Sequence, residues 1–150
     1  MLQTILTDLF ERDLTKLRQE IEQYSDEADL WKKSGDIPNS AGNLCLHLCG
    51  NIRHFIGATL GNSGYVRDRD SEFSQTDISR AVLFGEIDAT LTDVKATLAG
   101  LSDETLASNY PIEVFGNGTF RTDWFLVHLA THLNYHLGQI DYHRRILAAK

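Results

Sequence analysis

Apolar residues recur at three- and four-residue steps in four stretches of the chain, with charged and polar residues between them. In the first, Leu2, Ile5, Leu6, Leu9, Phe10, Leu14, Leu17 and Ile21 line one face of an amphipathic helix, predicted from about residue 2 to residue 24. Ser25-Asp26-Glu27 and then Gly35-Asp36-Ile37-Pro38 break it. Pro38-Asn39-Ser40 supplies start signals for a second helix, with Asn39 or Ser40 as its cap. That helix carries Leu44, Leu48, Ile52, Phe55, Ile56 and Leu60, is weakened by Gly57 and Gly61, and stops at Asn62-Ser63-Gly64. Thr76-Asp77-Ile78-Ser79 opens a third helix, whose apolar face runs from Ile78 to Leu98 and ends at Gly100. Thr122 is the expected cap of a fourth, reaching about Ala149.

The connections differ in kind. Residues 65–75 alternate in charge with no period, which reads as a surface connection, with Arg67 and Arg69 as the alternative grip for an anionic ligand. Residues 101–121 are too many for a featureless linker. Ser102-Asp103-Glu104-Thr105-Leu106 predicts one helical turn, and Phe115-Gly116-Asn117-Gly118-Thr119 a tight turn or small hairpin. No stretch has a convincing strand pattern. The expected fold is therefore all-α: a four-helix bundle with a long crossover between helices 2 and 3, in one domain spanning residues 1–150.

Composition changes this picture little. Apolar and charged fractions of 42% and 23% are those of an ordinary globular chain. A net charge of −7 excludes a general phosphate-backbone binder, so no nucleic-acid partner is expected. No apolar run approaches the ~20 residues of a membrane span, and the first residues do not read as a signal peptide. The cytoplasm is the expected compartment. Cys45 and Cys49, four apart within a helical pattern, read as small buried residues of a reducing environment.

Histidine placement changes it most. Four of the six histidines fall between Val127 and His143. At ~100° per residue, His128, His132, His136, Gln139 and His143 share roughly an 80° arc of the fourth helix. His47 and His54 share a face of the second helix, together with Asn43 and Asn51. A neutral imidazole is the commonest metal ligand, and His132 and His136 at i, i+4 can chelate one ion, with His47 as the third ligand. Three protein ligands leave a position for water or substrate, as catalytic sites do. The zinc-protease helix is excluded, because Leu133 stands where its glutamate is needed, and the inward glutamates of a di-iron bundle are missing. For His54, His128 and His143, each taken alone, a hydrogen-bonded structural role is the simpler alternative. Asn43, Asn51 and Gln139 are candidates to orient imidazoles, or buried amides that satisfy one another.

His132-Leu133-Asn134-Tyr135-His136-Leu137-Gly138-Gln139-Ile140 resembles the closing motif of the DinB-like (YfiT-like) superfamily, a His-x-x-x-His followed by a basic residue, Gly, Gln and an apolar residue. Leu44-Cys45-Leu46-His47-Leu48 looks like that family's second-helix histidine, and the resemblance covers essentially the whole chain in helix order and length. It implies a divalent ion, zinc or nickel, held by His47, His132 and His136. It also implies metal-dependent transferase or isomerase chemistry with low-molecular-weight thiols such as bacillithiol or mycothiol. The chain departs in carrying Leu137 at the basic position and in adding His54, His128 and His143.

The expected function is then a cytoplasmic metal-dependent enzyme, a thiol S-transferase acting on a small-molecule substrate as a homodimer. His54, His128 and Gln139 are its candidate proton carriers or orienting groups. Two alternatives stand beside it. One is a non-catalytic metal-binding or stress-associated module, and the other a metal-free helical dimer with structural histidines.

Overall fold

The computed structural model describes residues 1–116 and 118–149. Four long helical segments dominate: α1 (Leu2–Glu22), α2 (Ala41–Ile52), α4 (Arg80–Gly100) and α6 (Thr122–Ala148). Two short helices, α3 (Arg69–Ser74) and α5 (Asp103–Ala107), and a 3-10 turn at Glu27–Trp31 fill the connections. Among the described residues no strand forms, and the chain is all-α, as its periodicity predicts. The predicted turn at 115–119 includes Asn117, which lies outside the described residues. Beside it Asn109 and Arg121 make an isolated antiparallel bridge.

Cross-helix contacts fix the directions. Lys95 reaches Glu11 (2.6 Å) and Arg18 reaches Asp88 (3.1 Å), so α1 and α4 run antiparallel. Asn134 bonds Asp13 (3.1 Å) and Arg144 bonds Glu20 (2.6 Å), so α6 runs with α1. Gly57 and Gly61 abut Asp93 and Thr97 in the same sense, so α2 and its continuation run parallel to α4. Only a long crossover permits that, and residues 59–79 provide it. Each of α1 and α2 packs against both α4 and α6. The core between them is continuous, from Leu6, Phe10, Leu14 and Leu17 of α1 to Leu48 and Ile52 of α2, Leu83 and Val94 of α4, and Leu129, Leu133 and Ile140 of α6.

Helix starts follow local chemistry. The side chains of Ser40, Ser79 and Ser102 accept from the backbone N–H three residues on, as side-chain caps do. Thr122 does not cap α6. It is the first helical residue, and its own N–H donates to the Ser108 carbonyl (2.8 Å) in the pairing beside the bridge. The cap position falls to Arg121, whose side chain makes no capping bond.

Two departures from the sequence expectation matter for the site. After Ile52, α2 widens into a π-helical stretch, Arg53–Ala58, a rare widening that occurs mostly as single turns inside α-helices. Within it Gly57 is required by close approach, since a Cβ there would lie 2.8 Å from the Asp93 carboxylate. The second departure is the charged stretch 65–75. Most of it stays at the surface, but part of it folds into α3 and turns Glu72 inward to 5% exposure. Asp68 caps α3, and the Asn43 side-chain amide donates to the carbonyls of Glu72 (3.0 Å) and Gln75 (2.8 Å), tying the crossover onto α2.

Candidate metal centre

The antiparallel pair α2 and α6 places three imidazoles together. His47, His132 and His136 each offer a ring nitrogen within 4.8 Å of the others. His132 and His136 meet because residues four apart on a helix stand one turn above the other, here with ring centroids 4.6 Å apart. His47 faces both across the helix interface, at 5.1 and 5.5 Å between centroids.

Each ring is oriented by its partners. Glu72 Oε1 lies 3.1 Å from His47 Nδ1, and an ionised carboxylate only accepts, so Nδ1 carries the proton and Nε2 keeps its lone pair. Arg67 holds that carboxylate in turn, with Nε donating to Oε2 (2.8 Å) and Nη2 to Oε1 (2.9 Å). Burial alone raises the Glu72 pKa, yet the hydrogen bonds from His47 and Arg67 outweigh it and keep the group below its ordinary value. The fit is close, for a Cβ on Gly50 would come 2.0 Å from Glu72 Oε2, so only glycine admits the carboxylate here. Phe73 covers the other side of the His47 ring at 4.8 Å. His136 Nδ1 donates to Gln139 Oε1 at 2.6 Å, again leaving Nε2 free.

His132 is different. Its Nε2 faces His47 Nε2 at 3.3 Å, and its Nδ1 is buried with no partner among the described residues. Burial, followed by the neighbouring His136 and His47, lowers its pKa to about 4, and burial also lowers that of His136. Both rings are therefore neutral near pH 7, the form that binds metal. The spacing fits as well. Two nitrogens bonded at ~2.0–2.1 Å to one tetrahedral ion lie ~3.3–3.4 Å apart, which is the His47–His132 separation. Three imidazoles converging on one point, two of them with their second nitrogen already engaged, could hold a divalent cation.

The remaining histidines divide. His143 is a structural residue: its Nε2 donates to the Lys32 carbonyl (2.8 Å) and its Nδ1 accepts from the Tyr24 hydroxyl (2.6 Å). His128 lies in an aromatic stack, 5.5 Å from Trp124 and 5.9 Å from Phe125, with His132 6.4 Å further along. His54 is the second residue of the π-helical stretch, with its ring edge on Phe55 (4.7 Å). Burial lowers the pKa of both, and for His54 the charge of Arg67 adds to it. Neither ring has a hydrogen-bond partner among the described residues. Asn43 serves α3 rather than an imidazole, and Asn51 Oδ1 is left unpartnered.

Glu72 and its brace Arg67 are the part of the centre that the sequence pattern misses. The one available signal is Gly50, an isolated glycine within a helical pattern, which marks close approach without naming what approaches.

An all-helical fold with three clustered histidines between two antiparallel helices defines a class of helical proteins that could hold a metal ion. Among curated proteins, none matches the chain. The description of the DinB superfamily matches residues 9–140, and the chain belongs to that family. The match spans α2, α3, α4 and the three histidines, so the centre lies within the shared part of the fold.

Proposed function

We propose that the chain is a metal-dependent enzyme that binds zinc or nickel through His47, His132 and His136 and transfers a low-molecular-weight thiol to a small-molecule electrophile. The observation that carries this is the donor set: three converging imidazoles and, among the described residues, no fourth histidine, cysteine or carboxylate completing the group. A bound divalent ion would supply Lewis acidity there, lowering the pKa of a thiol or water beside it. Glu72 holds His47 in the tautomer that presents Nε2, and Gln139 does the same for His136. His128 and His54, neutral at pH 7 by burial, are the candidate acceptors of the thiol proton. In the transfer, a sulfur lone pair forms the new C–S bond as the leaving group departs with the bonding pair of the electrophilic carbon. The thiol proton passes through His128 or His54 to solvent.

Two further assignments accompany this function. The free, buried Cys45 and Cys49 fit a reducing cytoplasm. Exposed Trp124 and Val127 on the outer side of α6 support a homodimer built on the first turns of that helix, which sedimentation would test. No helix among the described residues is long and apolar enough to cross a membrane.

The test is elemental analysis of protein purified without a histidine tag, followed by melts with and without chelator. One equivalent of zinc or nickel, with a folded apoprotein after chelation, is expected. Absence of any stoichiometric metal overturns the proposal. A chelator-induced collapse to unfolded chain would instead assign the ion a structural role.

A further inference from the structure

A cavity of about 460 Å³ lies beside the metal centre, between the approach to α2 and the last turns of α6. Its walls include Ile37, Pro38, Leu44, Tyr142, Ile146 and Leu147, and His136 and Gln139 line its end. The volume is that of a small-molecule site rather than a packing void. His136 belongs to both places: its ring lines this cavity and stands among the three clustered imidazoles.

The lining is telling by what it carries. None of the fourteen residues around the cavity is Asp, Glu, Lys or Arg. A carboxylate or phosphate entering it would lose hydration and find no counter-charge, inside a chain whose net charge is −7. Seven of the fourteen carry a polar side-chain group; Ser34, Asn39, Tyr135 and Tyr142 make no side-chain hydrogen bond among the described residues, whereas the other three are engaged. Both His143 nitrogens are engaged, so that ring is wall. Gln139 spends its oxygen on His136, which leaves its amide nitrogen as a donor at the end nearest the centre. Such a cavity selects an uncharged, aromatic or branched-aliphatic group over a charged one.

We infer that this cavity seats an uncharged apolar group of the small-molecule electrophile, beside His136, and thereby sets specificity. The substrate role rests on the metal-dependent function proposed above, whereas binding in the cavity does not. Charged low-molecular-weight thiols are excluded from this cavity and must approach the centre from elsewhere.

The test uses 2-naphthol, neutral at pH 7.5, and 2-naphthoate, which has the same rings and a carboxylate. Binding is followed by amide NMR shifts in zinc-loaded and metal-free full-length protein. The naphthol is expected to shift the amides of Leu44, Tyr142 and Leu147. The naphthoate should bind about tenfold more weakly or worse, since burying its charge here is uncompensated. Ile146→Asp and Ile37→Asp, both at exposed rim positions, should each weaken naphthol about tenfold with metal content and melting temperature unchanged. Naphthol shifts confined to other surfaces, equal or tighter binding of naphthoate, or indifference to both rim substitutions would overturn the inference. Metal content is read separately. Naphthol binding to a protein that takes up no metal would leave the cavity assignment standing and sink the enzyme; the converse result would do the opposite.

Discussion

His132 and His143 lie eleven residues apart on one face of one helix, yet their surroundings are opposite. His143 is buried with both nitrogens bonded, one to the Tyr24 hydroxyl and one to the Lys32 carbonyl. His132 is half-buried, has one nitrogen against another imidazole, and has the other unpartnered. A buried polar atom without a partner costs free energy that a purely structural residue has no reason to bear. The two sites show that a stripe of histidines marks a helix face without sorting its members. Only the atoms around each ring do that.

The comparison breaks most sharply under exchange of roles. His132→Ala should cut metal affinity by more than the ~10–100-fold typical of changes behind the ligands, with only a modest fall in melting temperature. Metal titration and thermal melts of the same samples check both halves. His143→Ala should leave metal content intact and lower stability by about 2–4 kcal/mol, through two lost hydrogen bonds and a cavity, as urea unfolding would register. If His143→Ala abolished metal binding while barely changing stability, the division between the two sites would be wrong.

Glu72→Gln sharpens the contrast from a third position. The amide removes the negative charge that Arg67 braces and weakens the acceptor for His47 Nδ1. Metal affinity should drop ~10–100-fold, visible in competition with a chromogenic chelator, while α3 stays capped by Asp68. An unchanged affinity would reduce the Arg67–Glu72 pair to a stabilising clamp on the crossover.

The smallest effect is set by pH. The His132 pKa is lowered to about 4 and that of His136 is lowered as well, against ~6.5 in an unfolded chain. Between those values the unfolded chain binds more protons than the folded one. The contribution of these rings is therefore complete above pH 6.5 and lost as pH falls toward 4. Solvent screening keeps it on the order of 1 kcal/mol. Metal-free wild type should show this slope in urea midpoints measured from pH 7 to 4.5, and His132→Ala should show a shallower one. Parallel slopes would mean that burial of His132 is not what sets its protonation.

How much of this was legible beforehand follows from range. The apolar stripes of α1, α4 and α6 are set by neighbours three and four residues away, so periodicity alone marks them, and the same periodicity brings His132 and His136 together. Serine caps are equally local. Residues 65–75 escape because much of what orders them is remote: Asn43 supplies their backbone partners, and His47 on another helix donates to Glu72, whose counter-charge is Arg67. Alternating charge looks solvated until its counter-charge is known. The cap of α6 was misplaced as well, and there the Thr122 N–H donates to Ser108 in a pairing that no local pattern announces. The π-helical stretch after Ile52 also answers to its neighbour, α4, through Gly57 and Asp93.

The long crossover that lets α2 and α4 run the same way also sets an order of assembly. His132 and His136 are presented as soon as one turn of α6 forms, a microsecond event in an isolated helix. His47 is separated from His132 by 85 residues of chain and arrives only when α2 docks, after the slow closure of a large loop. A divalent ion present during refolding thus meets a two-nitrogen half-site first and a complete one last. The weak local chelate ties up little of the unfolded chain, whereas the third nitrogen, supplied late, makes the ion a reporter of docking. Stopped-flow refolding monitored through a cobalt spectrum would time the closure of α2 on α6 directly, with no fluorescent label in the core.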